Sequence, residues 1–207
     1  MLMAVSLVSV SFGQVRFGVK GGLNIANQKI ILDFMGTSID RSGDAIATFH
    51  IGGVADIPLG EHFSFRPELL LSGKGSNFDA TTENGDNTKA NIRPYYLEIP
   101  LNIVYRHQFA SGLRFFGGAG PDIAYGLFGK AKADGQSSDV FEKGGYKRFD
   151  FGLNILAGLE LSSGITVSAN FTPGLANIYD GEDISGAEDI KFKNTTFGIS
   201  VGYMFSK

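Results

Sequence analysis

Val15 to Ala26 reads VRFGVKGGLNIA, and the order of these residues decides the fold. Apolar side chains stand at Val15, Phe17, Val19, Leu23 and Ile25, with Arg16, Lys20 and Asn24 between them. Successive side chains of an extended chain point to opposite faces, so a period of two describes a strand with one apolar and one polar face. The alternation returns in Phe49 to Leu59, Phe63 to Lys74, Tyr95 to Arg106, Leu113 to Leu127, Phe149 to Leu161, Ile165 to Ile178 and Thr195 to Phe205, giving eight segments. Each is about as long as the roughly 9 to 11 residues that a tilted strand needs to cross a hydrocarbon core. After the N-terminal run, no stretch offers about 18 consecutive apolar residues, so a membrane crossing has to be built from strands. Lipid leaves no backbone polar group a partner, and such strands must close into a barrel.

The connections support an up-and-down order. Gly60 to His62, His107 to Gly112 and Ser162 to Gly164 are short, whereas Asn27 to Thr48, Gly75 to Pro94, Phe128 to Arg148 and Tyr179 to Asn194 are long and polar. Short turns on the periplasmic side and longer loops outside are the pattern of outer-membrane barrels. The expected fold is therefore an all-β, eight-stranded antiparallel up-and-down transmembrane β-barrel over residues 14–207.

Aromatic placement adds an independent argument, because rings favour the two interfaces of a bilayer. With the first strand running outward, the expected inner belt holds Phe17, Phe63, Phe65, Tyr105, Phe115, Tyr203 and Phe205, and the outer belt Phe49, Tyr95, Tyr125, Phe149, Phe151 and Phe197. Aliphatic residues such as Val19, Ile99, Ile155 and Val201 fall between them. Pro67, Pro100, Pro121 and Pro173 lie inside the expected strands, where each removes a ladder donor, and they are expected to mark bulges or bends.

Composition narrows the function classes. A net charge of −3 carries no basic excess for nucleic acid. The absence of cysteine removes disulfides, thiolate metal sites and cysteine nucleophiles. Residues 1–13 (MLMAVSLVSVSFG) form a short apolar run ending in small residues at Ser11 and Gly13, which reads as a secretory signal with its cleavage site, although the usual basic start is missing.

FRPELLLS (Phe65 to Ser72), YLEIPLNIVY (Tyr96 to Tyr105), FGVKGGLNIA (Phe17 to Ala26) and GGAGPDIAYGL (Gly117 to Leu127) together resemble the outer-membrane β-barrel domain family of PorT-like and porin-family small barrels, with an architecture similar to OmpA and OmpX. The resemblance covers essentially the whole mature chain and implies fold and location: an integral protein of the cell outer membrane. In that family, prolines of the kind found at Pro67 and Pro100 are usual. Implied partners are outer-membrane lipid and, during biogenesis, the barrel assembly machinery, for which Phe205 looks like the C-terminal aromatic signal even though Ser206 and Lys207 follow it.

The inward face is expected to carry Arg16, Lys20, His50, Asp56, Arg66, Glu68, Lys74, Glu98, Asn102, Arg106, Arg114, Asp122, Asp150, Asn154 and Glu160, six basic and six acidic groups besides the histidine. An eight-stranded barrel is just wide enough for side chains to fill it, and buried charges persist when paired. The expectation is a plug of ion pairs, with Arg66, Glu68, Glu98 and Arg106 as one network on adjacent strands; a narrow pore is the alternative. His50, with Ser72 as its neighbour on the next strand, is the one histidine expected near the outer rim and reads as a hydrogen-bonded lumen residue more readily than as a base. No catalytic, cofactor or metal residue is assigned. The acids Asp180, Glu182, Asp183, Glu188 and Asp189 match no EF-hand spacing and read as a solvated surface loop. The expected function is an envelope-structural, adhesive or interaction role through the surface loops. The alternatives are a transport or secretion-accessory role and, third, a soluble periplasmic barrel holding an apolar ligand.

Overall fold

The computed structural model describes residues 14–34, 37–81, 87–133, 136–142, 145–180 and 189–205, so the expected signal segment lies outside the described residues. Every regular element among them is a strand: β1 (Arg16–Phe34), β2 (Thr37–Ser42), β3 (Ile46–Pro58), β4 (Phe63–Gly73), β5 (Ser76–Thr81), β6 (Asn87–Gln108), β7 (Arg114–Ala133), β8 (Gln136–Asp139), β9 (Phe149–Glu160), β10 (Ile165–Pro173) and β11 (Asp189–Met204). Eight of them form a closed antiparallel ring in the order β1, β3, β4, β6, β7, β9, β10, β11 and back to β1. The seam between the first and last strands runs from Gly18 opposite Met204 to Asp33 opposite Asp189.

Three connections at one end are tight, each turning at a glycine with positive φ: Gly60, Gly112 and Gly164. Leu161 N–H donates to Ile165 O at 2.8 Å and Phe109 N–H to Leu113 O at 2.8 Å, which closes two of them. At the other end, residues expected as loops continue as strand. β2 extends the wall on β1, β5 on β6, and β8 on β7. β1, β6, β7 and β11, at 19, 22, 20 and 16 residues, exceed the length needed to cross a bilayer, and the wall rises well above it on those sides. Outward residues there, such as Lys29, Arg93, Lys130 and Lys193, are polar, so the apolar outward stripe that marks the bilayer stops below them.

The prolines do not shift the ladder as expected. Pro67 lies where the β3–β4 pairing lapses between Val54–Glu68 and Ile57–Phe65, and the register is the same on either side. Pro100 and Pro121 fall in similar lapses between β4 and β6 and between β6 and β7. A missing N–H is thus absorbed as an unpaired rung. The register shift between β6 and β7 sits instead at Tyr95/Tyr96.

The ring is built inside out relative to a soluble protein. Leu23, Ile51, Ile155, Ile199 and Val201 are exposed on the outer surface, whereas Asp56, Asn102, Arg66 and Lys74 are buried within. Phe17, Phe63, Tyr105, Phe115, Tyr203 and Phe205 are exposed near the turn end, with Phe63 against Tyr105 at 5.6 Å. Phe49, Tyr125, Phe149, Phe151 and Phe197 are exposed near the loop end, where Phe49, Tyr95 and Phe128 form a chain of rings with centroids 5.5 and 5.1 Å apart.

Candidate functional site: the barrel lumen

Inward residues of the eight ring strands fill the lumen in tiers. At the turn end Asp56, fully buried, lies 2.5 Å from Arg66, 3.3 Å from Arg106 and 3.5 Å from Arg16. Glu160 takes Arg16 in a fork, at 2.5 and 3.1 Å, and Arg114 at 2.7 Å. Four guanidinium groups therefore share two carboxylates. Bidentate geometry of this kind is the strong form of the arginine–carboxylate contact. Arg66 also stacks over the Phe116 ring at 4.3 Å, and Phe116, Val104 and Leu156 make a small apolar layer above the arginines. Gly158 makes room for it: a Cβ there would stand 2.5 Å from Phe116 Cζ.

The middle tier is mostly neutral. Lys20 pairs with Glu68 at 2.6 Å. Asn154 donates to Asn102 Oδ1 at 2.9 Å and accepts from Thr172 at 3.0 Å. His50 bridges two strands, with Nε2 2.7 Å from Ser200 Oγ and Nδ1 2.7 Å from Asn24 Oδ1. Asn24 Nδ2 donates onward to Ser72 Oγ at 3.0 Å and Gly73 O at 3.2 Å. Ser72 is the cross-strand neighbour of His50, yet the histidine bonds Ser200 and Asn24. Hydroxyl, imidazole and amide stand in the order of a nucleophile, a base and an orienting group. They are 1%, 3% and 2% exposed, respectively, so no substrate reaches them in this form. The arrangement ties β1, β3, β4 and β11 together.

The third tier, toward the loop end, centres on Lys74, whose Nζ is 2.7 Å from Glu98, 3.1 Å from Asp150 and 3.8 Å from Asp122. One ammonium thus faces three carboxylates. Asp150 also accepts from Asn194 at 2.8 Å, Asn194 from Gln28 at 2.9 Å, and Gln28 from the Tyr146 hydroxyl at 3.1 Å. That last bond leads into an apolar cap of Val140, Tyr146 and Ile178, against which Ile92, Phe141 and Phe192 pack. Burial holds the Tyr146 phenol above its ordinary pKa, which keeps it a neutral donor.

The four residues expected as one network are divided among these tiers. Arg66 and Arg106 meet on Asp56, Glu68 faces Lys20, and Glu98 faces Lys74. Adjacency along neighbouring strands was legible, but a salt bridge across the lumen depends on strand stagger, which hydropathy does not report. The cap is not legible in the sequence, since Val140, Phe141 and Tyr146 are brief apolar interruptions of a polar stretch expected as a loop. Among the described residues, no group of three or more histidines and carboxylates has the geometry to hold a metal ion. Glu182, Asp183 and Glu188 of the acidic run lie outside the described residues.

Comparison with known proteins identifies the lineage. The profile of the outer membrane protein beta-barrel domain matches residues 9–180, most of the chain. The chain belongs to that family. Its place in the outer membrane follows, with the tight turns facing the periplasm and the tall hairpins facing outward. Among solved structures this outer-membrane barrel is similar to the outer membrane protein OprG from Pseudomonas aeruginosa, at 14% identity and a TM-score of 0.50 over 93% of this chain and 96% of that one. It is also similar to Neisserial surface protein A, at 13% identity and a TM-score of 0.48, over 93% and 100%. At 12% identity it matches the outer membrane protease OmpT from Escherichia coli, with a TM-score of 0.36 over 96% and 99%. The OprG likeness supports the fold alone. None of the curated proteins matches the chain.

Proposed function

We propose that this outer-membrane barrel is a sealed, non-enzymatic protein whose role is envelope-structural, adhesive or interactive and is exercised by the walls that stand above the bilayer. The observation that carries this reading is the succession of side-chain contacts across the lumen from the Asp56 tier to the cap. Ion pairs, amide bridges and the Val140–Tyr146–Ile178 cluster follow one another along its length. A conducting pore needs a continuous polar path that water can occupy, and here the inward charges of each tier face one another across the lumen, while single atoms such as Ser64 Oγ, Asn102 Nδ2 and Asp122 Oδ1 are left without a protein partner. The Ser200–His50–Asn24 chain supports a structural role for the same reason. The secretion-accessory alternative rests on the PorT-like resemblance alone.

Planar-bilayer recording of the refolded protein tests the seal. The expected trace shows no steps above baseline; discrete, reproducible openings would overturn the reading in favour of transport. Heat-dependent gel mobility run beside it establishes that the recorded protein is the folded barrel.

A further inference from the structure

Above the outer aromatic belt the outward face of β6 and β7 changes from apolar to cationic within two rungs. Tyr95 lies opposite Phe128, Arg93 opposite Lys130, and Asn91 opposite Lys132. Two residues of strand rise about 6 to 7 Å, which sets the cations at the height of lipid headgroups above rings at the interface. The six side chains line a shallow groove of about 490 Å³ on the outside of the wall. Arg93, Lys130 and Lys132 are all exposed there.

The groove carries three cations, none of them closed into an ion pair. Like charges directly opposite each other in an antiparallel ladder are destabilising, and Arg93 and Lys130 are such a pair. Among the described residues, no carboxylate comes within ion-pair distance of Arg93, Lys130 or Lys132. Asp139 lies across from Lys130 on β8 and brings one negative charge to the groove's edge, where its Oδ1 accepts the backbone N–H groups of Phe141 and Glu142 at 2.8 and 3.2 Å and forms no ion pair with Lys130. On the opposite wall of the ring, by contrast, Lys29 at the corresponding rim is held by Asp40 at 2.5 Å.

We propose that this groove binds a phosphorylated glycolipid of the outer leaflet. A phosphate bridges Arg93 and Lys130, Lys132 holds a second anionic or sugar oxygen, and the acyl chains run down the wall over Tyr95, Phe128, Leu97 and Ile99. The guanidinium fork suits phosphate oxygens. The direct continuity of cations with a lipid-facing apolar surface selects a lipid phosphate over a free one. The site is independent of whether the lumen conducts.

The test compares the refolded full chain with the R93Q/K130Q variant. Both are surface changes, and heat-dependent gel mobility verifies the fold. The probes are vesicles of phosphatidylcholine containing bis-phosphorylated lipid A, the same vesicles with lipid A stripped of phosphate, and inorganic phosphate alone. The proposal expects bis-phosphorylated lipid A to be retained through detergent exchange at least about tenfold better by the unaltered chain than by the variant, as native mass spectrometry reads it. It also expects that phosphate-free lipid A is not retained, and that millimolar inorganic phosphate does not displace the bound lipid. In phosphate-free zwitterionic detergent the variant should unfold at the same or a higher temperature, since a repulsion has been removed; with lipid A present the order should reverse. Equal retention by both chains, retention that ignores the phosphates, or displacement by inorganic phosphate would each overturn it.

Discussion

The two charged tiers of the lumen are opposites. Near the periplasm four arginines surround two carboxylates, and toward the outside one lysine sits among three. The lumen as a whole is balanced because each end holds the excess that the other lacks. Exposure separates them further. Arg16 and Arg114 are 24% and 26% exposed at the side chain and share their charge with water, whereas Lys74 is 3% exposed. Arginine suits the open end, where a fork can be shared between two acids; a compact ammonium suits the closed end, where three carboxylates must converge on one point. A charge left alone costs more where water cannot reach it.

This contrast orders the expected effects of substitution. Lys74→Met should be the most damaging, because it leaves three carboxylates buried together. Breaking a buried ion pair costs about 3 to 5 kcal/mol, and the measurement is the urea midpoint of the barrel refolded in detergent. Asp56→Asn keeps an acceptor oxygen but removes the negative charge that three arginines share, which leaves the buried Arg66 without a counter-ion while Arg16 and Arg106 retain solvent, and a loss of about 2 to 3 kcal/mol is expected in the same assay. If Asp56→Asn proved worse than Lys74→Met, exposure would not be the governing difference. Glu98→Ala should lower the midpoint by about 1 to 2 kcal/mol, since Lys74 keeps Asp122 and Asp150; an unchanged midpoint would mean that Glu98 takes no part in the tier. Tyr146→Phe, which removes only the bond to Gln28, should cost about 1 kcal/mol and leave the bilayer trace flat.

Much of this was legible in the amino-acid order, for a physical reason. A barrel in lipid imposes one rule, apolar outward and polar inward, on every residue within the bilayer, and Val15 to Ala26 displays it without interruption. Above the bilayer both faces of the wall meet water or a small cap, and the rule lapses. Arg93, Lys130 and Lys132 fall in stretches expected as loops for this reason, although the inward Ile92 and Ala131 beside them keep the period of two along β6 and β7. The lumen residues were recognisable as a set, but not as pairs. His50 shows why: Ser200, which it bonds, lies 150 positions away and is brought beside it only by closure of the ring.

Closure also bears on the order of events during assembly. β1 cannot complete its ladder until β11 exists, and Gly18 waits for Met204, almost the last described residue to emerge. Contacts of such long sequence separation are slow to form. β1 can pair with β3, and β11 with β10, while the edges they turn to each other stay open, so the seam cannot close before the whole ring has been made.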